Sequence, residues 1–157
     1  MPYVALILLL TLSDQLIKVA ARRYLPTDHV VEVIPHFIGL IYQENRGISF
    51  SLLSELPETL RQPVLAGVSA LVVVALSVYL WRRWERVPTL ERYGFAMILS
   101  GALGNLIDRA FRGSVTDYMY FHAYQTGFFV NNFADDLISI GFVLVLWQSF
   151  KKPHGPA

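Results

Sequence analysis

The chain contains no cysteine, which removes disulfides, thiolate metal sites and cysteine nucleophiles at once. Charge is scarce too, with Asp, Glu, Lys and Arg making up 16% of the 157 residues, where a soluble domain carries about a quarter. Hydrophobic residues reach 54% and the mean hydropathy is +0.44, a composition too apolar for the soluble class. A formal net charge of +1 gives no argument for a nucleic-acid partner. His29, His36, His122 and His154 show no His-Glu-x-x-His or similar spacing, so neither a zinc peptidase nor any other metal centre is expected. The length fits a single domain.

What is present instead is a set of apolar segments, each near the ~20 residues a helix needs to span hydrocarbon. Four can be drawn, at about 3–21, 63–80, 93–110 and 136–150. They predict an α-helical integral membrane protein with four transmembrane helices. A cleaved signal peptide is a poor account of the first segment. No Lys or Arg precedes its apolar run, and no small-x-small site follows it. Pro63 suits the first turn of the second helix, and Trp81 with Trp84 marks its interface.

Between the first two segments, 22–61 is a polar insertion. Val30–Ile34 and Phe37–Tyr42 are β-rich runs parted by Pro35-His36, Asn45-Arg46-Gly47 is a turn signal, and Ile48–Leu52 follows. A small extracytoplasmic β-sheet is expected there, with a short helix starting between Ser54 and Arg61. The polar connection from the third segment to the fourth holds Ser114-Val115-Thr116-Asp117-Tyr118.

Basic residues set the expected orientation. Arg82, Arg83, Arg86 and Arg92 crowd the loop after the second span, and Lys151-Lys152 follows the fourth. The positive-inside rule puts that loop and both termini in the cytoplasm. Asp117 and Asp135 then lie at the outer face, close to the membrane edge, where uncompensated carboxylates are costly and a functional role is the default.

Other polar residues fall at helical spacing. Asp14 and Lys18 are four apart and able to pair, either as a structural ion pair or as substrate contacts. Gly101, Asn105, Asp108, Arg109 and Arg112 recur along the third segment, where the glycines let another backbone approach and Asn105 and Arg109 are candidate donors to a site. Asn132, Asp135, Asp136 and Ser139 repeat the pattern at the start of the fourth, where Asn131 or Asn132 could equally cap the helix. Two aspartates brought close cannot both ionise easily and share a proton. The ionised one can activate water while the protonated one polarises a carbonyl, with no metal and no cofactor. Two carboxylates alone would equally serve a proton relay. A serine peptidase built on Ser100 and His122 lacks the Gly-x-Ser-Gly context.

Five blocks in order turn these signals into a specific one: Asp14–Lys18, Asn45–Phe50, Gly101–Arg109, Val115–Tyr118 and Asn132–Asp135. Together they resemble the bacterial lipoprotein signal peptidase family (signal peptidase II, prolipoprotein signal peptidase). The resemblance implies an aspartic endopeptidase of the bacterial inner membrane, with Asp117 and Asp135 as the catalytic pair. It implies substrate-binding or supporting roles for Asp14, Lys18, Asn45, Gly47, Asn105, Asp108, Arg109 and Asn132. The implied substrate is a prolipoprotein cut before its diacylglyceryl-modified cysteine, and globomycin-type peptides are implied as inhibitors. Contact with membrane lipids and action as a monomer are expected. The alternative is a small proton-coupled transporter using Asp14, Lys18, Asp108 and Arg109 as a relay.

Overall fold

The computed structural model describes residues 2–47 and 57–151. The run Ile48–Leu52, and Ser54 to Leu56 of the expected short helix, lie outside the described residues.

Four long helices follow the apolar segments: α1 (Pro2–Tyr24), α2 (Glu58–Arg83), α3 (Thr89–Arg112) and α4 (Phe133–Lys151). Each overruns its apolar segment, because a helix continues through flanking polar residues as long as its backbone bonds are made. The start of α2 is the clearest correction. Leu60 and Arg61 both donate to the carbonyl of Pro57, so the helix begins there, and Pro63 lies inside it rather than in its first turn. Among the described residues three helical stretches are long and apolar enough to cross a membrane, namely α1, Thr59–Arg86 and α4.

The helix α3 is not one of these three, and its packing explains its composition. It lies against α1, α2 and α4, so its polar residues meet other helices instead of lipid. Gly94 and Gly141 face one another across α3 and α4, and a Cβ on either would collide with the other's carbonyl oxygen. Small residues at such a seam bring two backbones close and strengthen dispersion contacts that lipid cannot supply. By contrast Leu8, Leu9, Leu12 and Leu16 of α1 are all more than half exposed, as expected for a face solvated by acyl chains.

The strands are β1 (Val31–Ile34), β2 (Ile38–Asn45), β3 (Val115–Ala123) and β4 (Thr126–Asn131), forming one antiparallel sheet in the order β1-β2-β3-β4. Only half of it comes from the insertion at 22–61. The other half is the α3–α4 connection, which is a β-hairpin and not simply a polar loop. Its Val, Thr, Tyr and Phe content suits a pleated surface. Pairing of Gln43 with Asp117 and of Asn45 with Val115 carries β2 alongside the segment that holds the first aspartate.

Candidate active site

Behind the site lies a buried knot of charge. Asp14 and Lys18 are fully buried, and their ion pair is 2.9 Å long. The same Nζ lies 3.4 Å from Asp108 and donates to Asn105 Oδ1 at 2.8 Å. Arg22, one further turn along α1, lies 3.6 Å from Asp108 and donates to Thr116 Oγ1 at 2.8 Å. Asp108 also accepts the backbone N–H of Thr116 at 2.9 Å. Charges removed from water in this way are tolerated only when paired; Asp108 Oδ1 accepts no hydrogen bond and has the Arg22 guanidinium as its counter-charge. The knot thereby ties α1, α3 and β3 together. Gly104 is part of it, since a Cβ there would run into the Asp14 carboxylate.

The start of α4 is held by side chains from three other stretches. Phe133 N–H donates to the Tyr118 hydroxyl at 3.1 Å, Ala134 N–H to Asp14 Oδ1 at 3.1 Å, and Asp135 N–H to Asn132 Oδ1 at 3.1 Å. These are the donors that a helix leaves unpaired at its N-terminus. Asn132 is the cap, and its side chain links β3 to the start of α4.

Capping leaves the amide nitrogen of Asn132 free for the two carboxylates. It stands 2.6 Å from Asp117 Oδ1 and 3.0 Å from Asp135 Oδ2, so one nitrogen touches both. Asn45 Nδ2 donates to the other oxygen of Asp117 at 2.9 Å, and Asn105 Nδ2 to the other oxygen of Asp135 at 2.8 Å. Each carboxylate therefore receives two amide donors. Burial pushes the Asp117 carboxyl up to about 6, against the lowering effect of Asn132 and Asn45 and with a further rise from the charge of Asp135. Asp136 points elsewhere, accepting from Asn131 at 2.8 Å.

Two cavities meet at Asp135. One of about 330 Å³ runs between α2, α3 and α4, and Gly47, Asn105 and Arg109 line it. The other, of about 750 Å³, opens beside β4 along Phe128 to Asn131. Asn45, Asp135 and Ile138 line both. Among the described residues the Arg109 guanidinium forms no hydrogen bond or ion pair, so its donors are available to a molecule in the first cavity. The Gly47 N–H is turned onto Asn45 Oδ1 at 3.1 Å, which orients the Asn45 amide toward Asp117.

Of the residues singled out in the sequence, Asn45, Gly47, Asn105, Arg109, Asn132, Asp117 and Asp135 gather at this site. Asp14, Lys18 and Asp108 do not reach its cavities; they stand one layer behind, linked to it through Asn105. Arg22 and Thr116 belong to the same layer and were not singled out. The spacing of Arg22, four residues after Lys18 on one helical face, is a signal that points to it; Thr116 has no such signal.

Two solved structures of a bacterial membrane enzyme, both obtained by the in meso method, share the fold. One has a TM-score of 0.79 at 23% identity and covers 99% of this chain and 94% of the other. The second has a TM-score of 0.81 at 24% identity and covers 96% and 94%. In sequence, the family described as Signal peptidase (SPase) II matches residues 6–151. The lipoprotein signal peptidase of Allorhizobium ampelinum is 38% identical over 147 residues, 94% of this chain and 86% of that protein. Its counterpart from Mesorhizobium japonicum is 39% identical over 147 residues, covering 94% and 84%. The chain belongs to the signal peptidase II family and is a peptide hydrolase.

Proposed function

We propose that Asp117 and Asp135 are the water-activating pair of an aspartic endopeptidase that cuts prolipoproteins immediately before a diacylglyceryl-modified cysteine. The observation that carries this reading is the single Asn132 nitrogen in contact with both carboxylates. Groups held that close share one proton at working pH. The ionised carboxylate takes a proton from water, and the water oxygen attacks the scissile carbonyl carbon. The partner's proton passes to the carbonyl oxygen. Collapse of the resulting gem-diol breaks the C–N bond: the newly protonated carboxyl gives its proton to the departing amine, the partner takes one from a gem-diol hydroxyl, and the pair again holds one proton.

The surrounding amides keep the two carboxylates oriented, which saves reorganisation in the transition state. Arg109 faces the same cavity as Asp135 and supplies N–H donors to a substrate carbonyl. Asn45 and Gly47 form the roof, and Asp14, Lys18 and Asp108 hold Asn105 and the start of α4 from behind. A peptide passing Asp135 occupies both cavities, one on each side of the cut.

The chain acts as a monomer in the bacterial inner membrane, with α1 to α4 all spanning and both termini cytoplasmic. The basic residues between α2 and α3 favour that orientation, which sets the carboxylates at the outer face where a signal peptide leaves the membrane. The acyl chains of the substrate stay in lipid, and globomycin-type peptides block the site. The test is mass-spectrometric cleavage of a diacylglyceryl-modified precursor peptide by purified protein in detergent, beside an unmodified control. Cleavage before the lipidated cysteine, absent in Asp117→Asn, supports the proposal. Intact substrate with well-folded protein removes it.

A further inference from the structure

At the end of the helix bundle far from Asp117 and Asp135, a cavity of about 680 Å³ opens between the start of α1 and the end of α2. Its inner wall is apolar, made of Val4 and Ile7 from α1, Leu80 from α2 and Leu99 from α3. Its outer rim is cationic, with Arg82, Arg83 and Arg86 against the single carboxylate of Glu85. Among the described residues none of these three guanidinium groups forms a hydrogen bond or an ion pair. Nothing in the reaction described above uses them.

The aromatic residues give the cavity a built shape. Tyr3 packs edge-on against Trp84 at 4.9 Å between ring centroids and tilts against Tyr93 at 5.1 Å. Arg92 lies over the Trp84 ring at 4.8 Å. Trp84 is thereby held half-buried in the wall, whereas Trp81, also at the rim, is 81% exposed. An indole projecting outward at the end of an apolar helix sits at headgroup depth.

We infer that this cavity is a binding site for an anionic diacyl phospholipid. The phosphate is held by Arg82, Arg83 and Arg86, and the first methylenes of an acyl chain lie along Ile7, Leu80 and Leu99. Charge complementarity selects the headgroup, since three unpaired cations face one anion. Depth selects the lipid over a soluble phosphate, because the apolar wall runs from the headgroup level toward the hydrocarbon. Basic pockets between membrane helices recognise anionic headgroups by this combination. The inference requires only that the chain spans a bilayer; it is independent of which carboxylates cut the substrate.

The test uses the three tryptophans, Trp81, Trp84 and Trp147. In the double variant W81F/W147F, Trp84 is the sole indole, and its fluorescence reports the cavity. The protein is placed in phosphatidylcholine bilayers containing a small fraction of brominated phosphatidylglycerol or, separately, brominated phosphatidylcholine. The expected result is preferential quenching by the anionic lipid, with an apparent selectivity of at least roughly tenfold, since each interfacial arginine contributes about fivefold. The triple variant Arg82→Gln/Arg83→Gln/Arg86→Gln should reduce that preference to near unity while precursor cleavage persists. Excess soluble glycerol phosphate should leave the quenching unchanged. Equal quenching by the two brominated lipids in W81F/W147F overturns the inference without any arginine variant. So does displacement by glycerol phosphate, which assigns the cavity to a soluble anion.

Discussion

The amide nitrogen of Asn132 stands 2.6 Å from Oδ1 of Asp117, in a contact that leaves Asn132 fully buried and Asp117 3% exposed. The same side chain caps α4, so its geometry cannot relax without moving the helix that carries Asp135. Asn132→Ala is expected to lower kcat by about 10²–10³, the usual cost of deleting a preorganised donor at a reacting centre. Lost capping should remove only about 1 kcal/mol of stability. Steady-state cleavage and thermal melting of the same preparation separate the two effects. A variant that melts early yet turns over normally would reduce Asn132 to a cap.

Adjacent aspartates make a sharper comparison. Asp135 accepts from Asn105 and Asn132, whereas Asp136 accepts from Asn131, at the end of β4. Asp135→Asn should abolish cleavage, as should Asp117→Asn, and Asp136→Asn should retain turnover close to wild type. Loss confined to Asp136→Asn would transfer the second catalytic role to that residue.

Acidity gives a third expectation. The folded pKa of Asp117 is about 6, raised from an ordinary 3.8. The native protein therefore keeps a proton that the unfolded chain has already released between those values. Stability from this group is complete below the unfolded value and is lost as pH rises through about 6. Melting temperature in detergent should fall across that window for wild type relative to Asp117→Asn. The rate should move oppositely, with kcat/KM rising through an acidic limb near 6 as the pair loses the first of its two protons. Parallel melting curves for wild type and Asp117→Asn would contradict the assignment.

Lys18 offers a prediction about stability and not chemistry. Lys18→Met removes the cation that Asp14 and Asp108 share, leaving buried carboxylates short of a partner. Breaking a buried pair in this way costs about 3–5 kcal/mol. The double variant Asp14→Asn/Lys18→Met should recover part of that loss. Thermal unfolding in detergent reads both. Were Lys18→Met to melt like wild type but fail to bind precursor, Lys18 would belong to the substrate site.

Much of this was legible beforehand, and for local reasons. Apolar runs of the right length announce helices wherever they fall, and polar residues at three- and four-residue steps announce a face turned away from lipid. Asp14 and Lys18 could be paired on paper because four residues separate them on one helix. The hairpin β3–β4 was harder to see. Its aromatic and β-branched residues carry the propensity, but β3 finds its partner β2 some seventy residues earlier in the chain, and the polar residues of Val115–Tyr118 resemble a connecting loop. Hydropathy marks where a span is apolar, not where its helix begins, and so α2 starts at Glu58, ahead of Pro63.

The sequence by itself determined that this is an apolar chain built of membrane-length segments and that its motifs match one peptidase family, and it made Asp117 and Asp135 the expected pair through that resemblance. Only the tertiary structure decided that one nitrogen of Asn132 serves both carboxylates, that Lys18 reaches the site through Asn105 and not directly, and that Asp136 faces Asn131. The physical reason is that periodicity and propensity act between near neighbours along the chain. These contacts depend on how the start of α4 docks against α1 and β3, which is settled by packing among residues far apart in sequence.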